Sequence, residues 1–278
     1  MRSSPPPRNN PVAEADAAPV ATEAARPARS RRQVVLITGA SSGIGAEVAS
    51  RLSASGRWDL LLNGRDEGRL GAVAARTFGA ALPMDLASHE GCRRLTEAAL
   101  THSGRVDALV AAAGLGWAGA YTDMTPASVN RLVNVNVCAV LHLVSLILPQ
   151  MISRGSGRLV LIGSVVGRYG VRGEAAYAAT KGALIPFAES LRYELQGTGV
   201  HLSLVLPGPV DTAFFAHRGT PYKRSWPRPV PAGRVAAAVE EALTGGRDEI
   251  TVPAWLGIPG RLQGMAPHLF RTLATRFG

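Results

Sequence analysis

A chain of 278 residues lies near the upper end of what one hydrophobic core holds, which excludes two independent catalytic domains and favours one α/β domain with extensions. The formal charge of +10 rests on 30 Lys and Arg against 20 Asp and Glu, but the arginines are scattered and do not alternate with aromatic residues, so nucleic acid is not an expected partner. The two cysteines, Cys92 and Cys138, stand in apolar helical patterns with no second ligand at metal spacing; they exclude a disulfide framework and a metal site and fit a reducing cytoplasm.

Residues 1–32 carry Pro5, Pro6, Pro7, Pro11, Pro19 and Pro27 among Ala, Ser, Arg and Glu, with too little apolar surface to offset the entropy of ordering, and are expected to be a disordered tail. Ser30-Arg31-Arg32 ahead of Val34-Val35-Leu36-Ile37 has the look of a twin-arginine export signal. The apolar run stops after four residues, however, so it reads as a basic linker into a first buried strand.

From Gln33 onward short apolar runs alternate with helical patterns. Strands are predicted at Val34–Thr38, Trp58–Leu62, Ala80–Met84, Asp107–Ala112, Gly157–Gly163, Val200–Leu206 and Glu249–Val252. Helices are predicted to start near Gly43, Asp66, Ser88, Ala127, Ala175 and Ala232. Continuously apolar strands separated by helices imply a parallel sheet covered on both faces, the doubly wound α/β arrangement, over residues 33–255. The apolar stretch Leu132 to Leu148 has the length of a membrane span, but Asn134, Asn136, His142 and Ser145 interrupt it and Pro149 closes it, so a buried helix is predicted.

Between the first strand and first helix lies Thr38-Gly39-Ala40-Ser41-Ser42-Gly43-Ile44-Gly45. Glycines at these spacings permit a tight turn, close backbone approach to a pyrophosphate and close helix packing, and the helix N-terminus then faces the phosphates. The second strand runs into Asn63-Gly64-Arg65, where a chain preferring NAD normally places an acid for the ribose 2′-hydroxyl. Gly64 is expected to leave room and Arg65 to meet a 2′-phosphate, which favours NADP(H); Asp66 and Glu67 stand as the competing source of an acid if the strand runs longer.

Tyr177-Ala178-Ala179-Thr180-Lys181 places a phenol and an ammonium four residues apart, on one helical face. Acid/base work by tyrosine at neutral pH needs its pKa lowered by roughly three units, about 4 kcal/mol, which positive charge from Lys181 and an oxidised nicotinamide would supply. Ser164, at the end of Leu159-Val160-Leu161-Ile162, is either a strand-end turn residue or a hydroxyl for a substrate oxygen at the carboxyl edge of the sheet. Asn136, mid-helix, is either a satisfied core amide or holds backbone and water on a proton path to Lys181.

With these motifs in order, the chain resembles the short-chain dehydrogenase/reductase family in its single-domain form over about residues 33 to 255. The resemblance is carried by the glycine turn at 38–45, Asp85-Leu86, Val135-Asn136-Val137, Ser164, Tyr177 to Lys181 and Pro207-Gly208-Pro209-Val210-Asp211-Thr212. It implies a Rossmann-type sheet of about seven strands in the order 3-2-1-4-5-6-7 and a catalytic tetrad of Asn136, Ser164, Tyr177 and Lys181. In that scheme Tyr177 is the general acid/base, Ser164 holds the substrate oxygen, and Lys181 binds the nicotinamide ribose and depresses the Tyr177 pKa. Asp85 meets the adenine beside Leu86, and Pro207, Gly208, Val210 and Thr212 lie beside the carboxamide. One departure is plain: the family's Asn-Asn-Ala-Gly is here Ala111-Ala112-Ala113-Gly114. Gly114 keeps the close approach to the cofactor, while the asparagine bonds tying the central strands are expected to be missing.

The segments 115–121, 165–172 and 214–231 are expected to line the substrate pocket with Trp117, Tyr121, Tyr169, Phe214, Phe215, Tyr222 and Trp226, which suits a bulky lipophilic carbonyl compound. Arg168, Arg172, Arg218, Lys223 and Arg224 are read as solvated lid charges, an anion-binding role being the alternative. Residues 256–278 are expected to form an amphipathic extension: after Glu249 no acid occurs, while Trp255, Leu262, Met265, Leu269, Phe270, Leu273 and Phe277 accompany Arg261, Arg271 and Arg276. It packs over the substrate mouth or another subunit, or makes peripheral membrane contact. The apolar helix around Val129 to Leu148 implies, through the resemblance, a homodimer or homotetramer. A nucleotide-binding sensor without turnover is the remaining alternative.

Overall fold

The computed structural model describes Met1 and residues 32–222, 224–268, 270 and 272. The expectation for the tail therefore falls outside the described residues, as do Lys223, Leu269, Arg271, Leu273, Arg276 and Phe277.

The chain alternates strand and helix from Gln33 on: β1 (Gln33–Thr38), α1 (Gly43–Ala54), β2 (Trp58–Gly64), α2 (Glu67–Thr77), β3 (Ala80–Pro83), α3 (His89–Ser103), β4 (Ala108–Ala111), α4 (Pro126–Val133), α5 (Ala139–Ser153), β5 (Gly157–Ile162), α6 (Ala175–Glu194) and β6 (Val200–Pro207). A short pair, β7 (Val210–Asp211) and β8 (Val230–Pro231), flanks α7 (Phe214–His217). Then come α8 (Ala232–Gly245), β9 (Glu249–Val252) and α9 (Gly257–Met265). The main sheet has seven strands in the order β3-β2-β1-β4-β5-β6-β9, every neighbour parallel, which is the expected order with β9 as the seventh strand.

The apolar strands are buried on both sides because helices cover both faces. Leu36, Leu109, Leu159 and Leu204 share a core with Cys92 and Leu95 of α3, Leu143 and Ile147 of α5 and Leu184 of α6. Their neighbours Val35, Ile37, Val110, Val160 and Val205 point the other way, onto Val48 and Leu52 of α1, Leu70 of α2 and Val239 of α8. That two-residue alternation makes every central strand apolar throughout.

Within the predicted helix, α4 and α5 are joined by a π turn at Asn134–Cys138. The combined helix, residues 126–153, is long and apolar enough to cross a membrane by length and composition. Yet Ala139, Val140, Leu143, Val144, Ile147 and Met151 face the core, as the reading of a buried helix requires, and Val133 and Ile152 remain exposed.

Two side chains tie the strands at the carboxyl edge. Thr38 Oγ1 accepts from the backbone N–H of Ala112 at 3.1 Å and of Ala113 at 3.0 Å, so the β1–β4 edge is held from the threonine although the asparagines are absent. Asn63, 1% exposed at the end of β2, donates to the carbonyls of Leu82 at 3.0 Å and Met84 at 3.2 Å and secures the chain beyond β3.

Candidate active site

The carboxyl ends of the strands open into a cavity of about 1400 Å³. Its floor is the turn after β1. Gly39 has φ +68°, and a Cβ on Gly45 would stand 2.4 Å from the Gly39 carbonyl oxygen, so neither position admits a side chain without moving backbone. Ser42 caps α1 without a side-chain hydrogen bond, which leaves the first N–H groups of the helix without a side-chain acceptor. Ser41, Ser42, Gly43, Ile44 and Gly45 line the cavity, a cradle shaped for the phosphates of a dinucleotide. Thr38 is not part of this lining; its hydroxyl oxygen accepts from Ala112 and Ala113 behind the wall.

Arg65 is exposed on the cavity wall just past the end of β2. Among the described residues it makes no hydrogen bond or salt bridge. Asp66 is already engaged as the N-cap of α2, accepting from Arg69 N–H at 2.9 Å and Arg69 Nε at 2.8 Å. The room left by Gly64 is taken by Ser41, since a Cβ there would meet the Ser41 side chain at 2.9 Å; its smallness serves the turn, not the ligand. Asp85, exposed at the rim, accepts from Ala87 N–H at 2.9 Å and Arg131 at 3.1 Å. Burial pushes its carboxyl up, but these two partners and the nearby Arg65 charge outweigh it and hold the group below the usual carboxylate range. Leu86, Gly114, Pro207, Gly208, Val210 and Thr212 complete this half of the lining.

The other half gathers Ser164, Tyr177 and Lys181, which are 7%, 9% and 5% exposed. Ser164 stands between β5 and a 3-10 turn at Val165–Gly167. A Cβ on Gly167 would lie 2.6 Å from the backbone carbon of Lys181, so only glycine lets this turn rest on α6 and bring Ser164 beside Tyr177. Lys181 Nζ donates to the Ile162 carbonyl at 2.8 Å. Burial alone brings the Lys181 ammonium down to about 8. Tyr177 moves against expectation: burial, then the Glu174 carboxylate, push its phenol well above the ordinary tyrosine value, while the Ser164 hydroxyl and the Arg218 charge pull the other way. The expected depression by Lys181 is not found, because desolvation dominates a group this enclosed.

Asn136 is fully buried behind this wall. Its Oδ1 accepts from Leu115 N–H at 2.7 Å, and its Nδ2 donates to the Leu115 carbonyl at 2.9 Å and to Thr180 Oγ1 at 3.0 Å. It clamps the loop after Gly114 to the helix bearing Tyr177 and Lys181, so its core-amide character and its service to the site are one arrangement. The π turn that presents it has no sequence signal.

The same cavity is lined by Trp117, Tyr169, Phe214, Phe215, Tyr222 and Trp226, and also by Trp255, Leu262 and Phe270 of the C-terminal segment. Tyr121 is 63% exposed and does not line it, because the chain turns outward in the 3-10 helix Tyr121–Asp123. Among the supposed solvated lid charges, Arg218 is buried and paired with Glu174, and Arg168 is bonded to Glu249; Arg172 and Arg224 are exposed.

A phosphate cradle at a helix N-terminus, joined to a buried hydroxyl, phenol and ammonium at the carboxyl edge of a parallel sheet, defines an oxidoreductase built on a dinucleotide-binding fold. The chain belongs to the short-chain dehydrogenase family, whose sequence pattern its residues 33–223 match, and acts on alcohol and carbonyl groups. It is 39% identical over 198 residues to human 17-beta-hydroxysteroid dehydrogenase type 1, a match covering 66% of this chain and 58% of that protein. It is similar to a short-chain dehydrogenase from Sphingobium yanoikuyae in complex with NADPH, with TM-score 0.74 and 30% identity over 85% of this chain and 95% of the other. A short-chain dehydrogenase/reductase from Burkholderia phymatum in complex with NAD is similar at TM-score 0.76 and 27% identity, covering 86% and 95%.

Proposed function

We propose that the protein is an NADP(H)-dependent oxidoreductase interconverting an alcohol and a carbonyl on a bulky lipophilic substrate, with Tyr177 as general acid/base. The observation that carries this reading is the convergence of buried Ser164, Tyr177 and Lys181 on one cavity with the glycine cradle. NADP(H), when bound, supplies or accepts the hydride and, in its oxidised form, brings the positive charge that Tyr177 lacks in the protein alone.

In the reducing direction the Tyr177 O–H donates its proton to the developing alkoxide, and the Ser164 hydroxyl donates a hydrogen bond to the same oxygen. Lys181 would hold the nicotinamide ribose through its remaining ammonium protons, and the same ammonium would return a proton toward Tyr177. Asn136 holds the Gly114–Leu115 wall in register with α6. NADP(H) is favoured over NAD(H) by the exposed Arg65 guanidinium and by the engagement of Asp66, the acid next to it, as a helix cap. The aromatic lining favours a lipophilic substrate.

The test is a panel of aliphatic, aromatic and polycyclic ketones followed by NADPH absorbance, with NADH in parallel. Turnover confined to the smallest aliphatic ketones, or absent throughout, refutes the reading; the latter result would fit a nucleotide-binding sensor. We further place the enzyme in a reducing cytoplasm as a homodimer or homotetramer, supported by two free cysteines and by the exposed Val133 and Ile152 on an otherwise apolar helix. A second reading keeps the chemistry and sets the cavity mouth against a membrane surface. It is favoured by exposed Trp226, Ile258, Leu262 and Met265 around that mouth, and co-sedimentation with anionic lipid vesicles tests it.

A further inference from the structure

The loop after β4, the N-terminal end of α6 and the segment 212–222 meet at one buried ion pair. Arg218 Nη1 lies 2.6 Å from Glu174 Oε1, with the two side chains only 8% and 13% exposed. Arg218 Nε donates to the Thr220 carbonyl at 3.0 Å, and its guanidinium rests 4.7 Å from the centre of the Phe215 ring. Its own carbonyl accepts from Ala118 N–H at 3.1 Å, and Thr220 Oγ1 donates to the Ala118 carbonyl at 2.9 Å. The third side is closed by Gly119 N–H on the Gly173 carbonyl at 2.9 Å. Phe214, four residues before Arg218, sits with its ring centre 5.7 Å from that of Tyr177.

We propose that Glu174 and Arg218 are a positioning pair, a latch that docks segment 212–222 on the start of α6, seats Phe214 against Tyr177, and sets two opposed charges beside the reacting phenol. The proposal rests on Tyr177 being the acid/base. A buried pair gains little over its two hydrated partners, because desolvation offsets the Coulomb attraction, so it suits a segment that must open for a bulky substrate and close again. Breaking one partner alone leaves an uncompensated charge and favours the open form.

The groups acting on Tyr177 are Glu174 at the N-cap of its helix, the uncharged Ser164 after β5 and Arg218 from the docked segment, while Lys181, four residues along the same helix, is turned to the Ile162 carbonyl. Glu174 disfavours the phenolate and Arg218 favours it, so their removal has opposite signs. Alcohol oxidation by NADP⁺ uses the phenolate, and its rate rises with pH through the apparent Tyr177 pKa.

The experiment compares the wild type with E174Q, R218Q and the double variant. The pH profile of kcat/KM is expected to move toward acid in E174Q and toward alkali in R218Q, by about half a pH unit or more each, and to return near the wild type in the double variant. KM for a bulky alcohol should rise in R218Q while NADPH affinity holds. A merely structural role opens the site in both single variants and moves both profiles the same way; that result, or no movement, overturns the electrostatic part.

Hydrogen exchange reads the latch without turnover. The Ala118 and Gly119 amides should exchange about tenfold faster in R218Q and stay protected in E240Q, which breaks the Arg51–Glu240 pair on the opposite face of the sheet. Unchanged protection in R218Q overturns the latch. A wild type inactive on every ketone refutes the acid/base reading, and the tuning claim with it, while the exchange result still decides the latch.

Discussion

The Lys181 ammonium donates a 2.8 Å hydrogen bond to the carbonyl oxygen of Ile162, the last residue of β5, and does so almost wholly buried. One carbonyl replaces only part of the hydration an ammonium loses, so the group falls from 10.5 to about 8. Below about 8 both folded and unfolded chains hold the proton, and the cost of burying it is fully present. Between about 8 and 10.5 the unfolded chain binds more protons than the folded one, and stability rises with pH. Lys181→Met is therefore expected to raise folding stability at pH 7 by about 2 to 3 kcal/mol and to lose that advantage toward pH 10. Urea unfolding at the two pH values measures it, and turnover should be lost at both.

Tyr177→Phe removes the transferable proton and keeps the ring that packs on Phe214. Turnover should fall by at least about a thousandfold, while NADPH affinity changes little. Stopped-flow turnover and fluorescence titration check the two halves, and an active Phe variant removes the proposed chemistry.

Arg65→Glu deletes a charge-assisted contact to a 2′-phosphate and introduces repulsion in its place. The expected loss is about 2 to 4 kcal/mol of NADPH binding, with NADH binding changed far less. The NADPH preference of the unmodified protein should also shrink as salt rises. Equal NADPH binding by both proteins would reduce Arg65 to a solvated charge.

Asn63→Leu trades the two bonds that hold Leu82 and Met84 for an apolar side chain of similar volume and leaves both carbonyls unpaired by it. A loss of about 1 to 3 kcal/mol of stability is expected, together with weaker nucleotide binding, because Gly64 and Arg65 follow directly. Thermal unfolding with and without NADPH separates the two effects.

Light scattering at micromolar concentration should give the mass of a dimer or tetramer. Val133→Glu together with Ile152→Glu, on the exposed side of α4 and α5, should shift it toward monomer without unfolding the chain. A monomeric wild type would count against an interface there.

Much of the architecture was legible because it is written in local periodicity. The sheet strands are short apolar runs, and α2 and α3 begin at capping residues, with Asp66 accepting from Arg69 N–H and Ser88 from Gly91 N–H as such residues do. The glycine turn and the four-residue spacing of Tyr177 and Lys181 were equally plain, since a backbone constraint and a helical face are encoded over a few residues.

What only tertiary structure decided is which distant groups share an environment. Gly64 serves Ser41, Thr38 replaces the missing asparagines, and Asn136 is presented by a π turn; each depends on a partner more than 20 residues away. The direction of the Tyr177 shift and the pairing of Arg218 with Glu174 went beyond the sequence for the same reason. Charge and desolvation act through space, and their balance is set by how deeply each group is enclosed, a property of the packed whole and of no single segment.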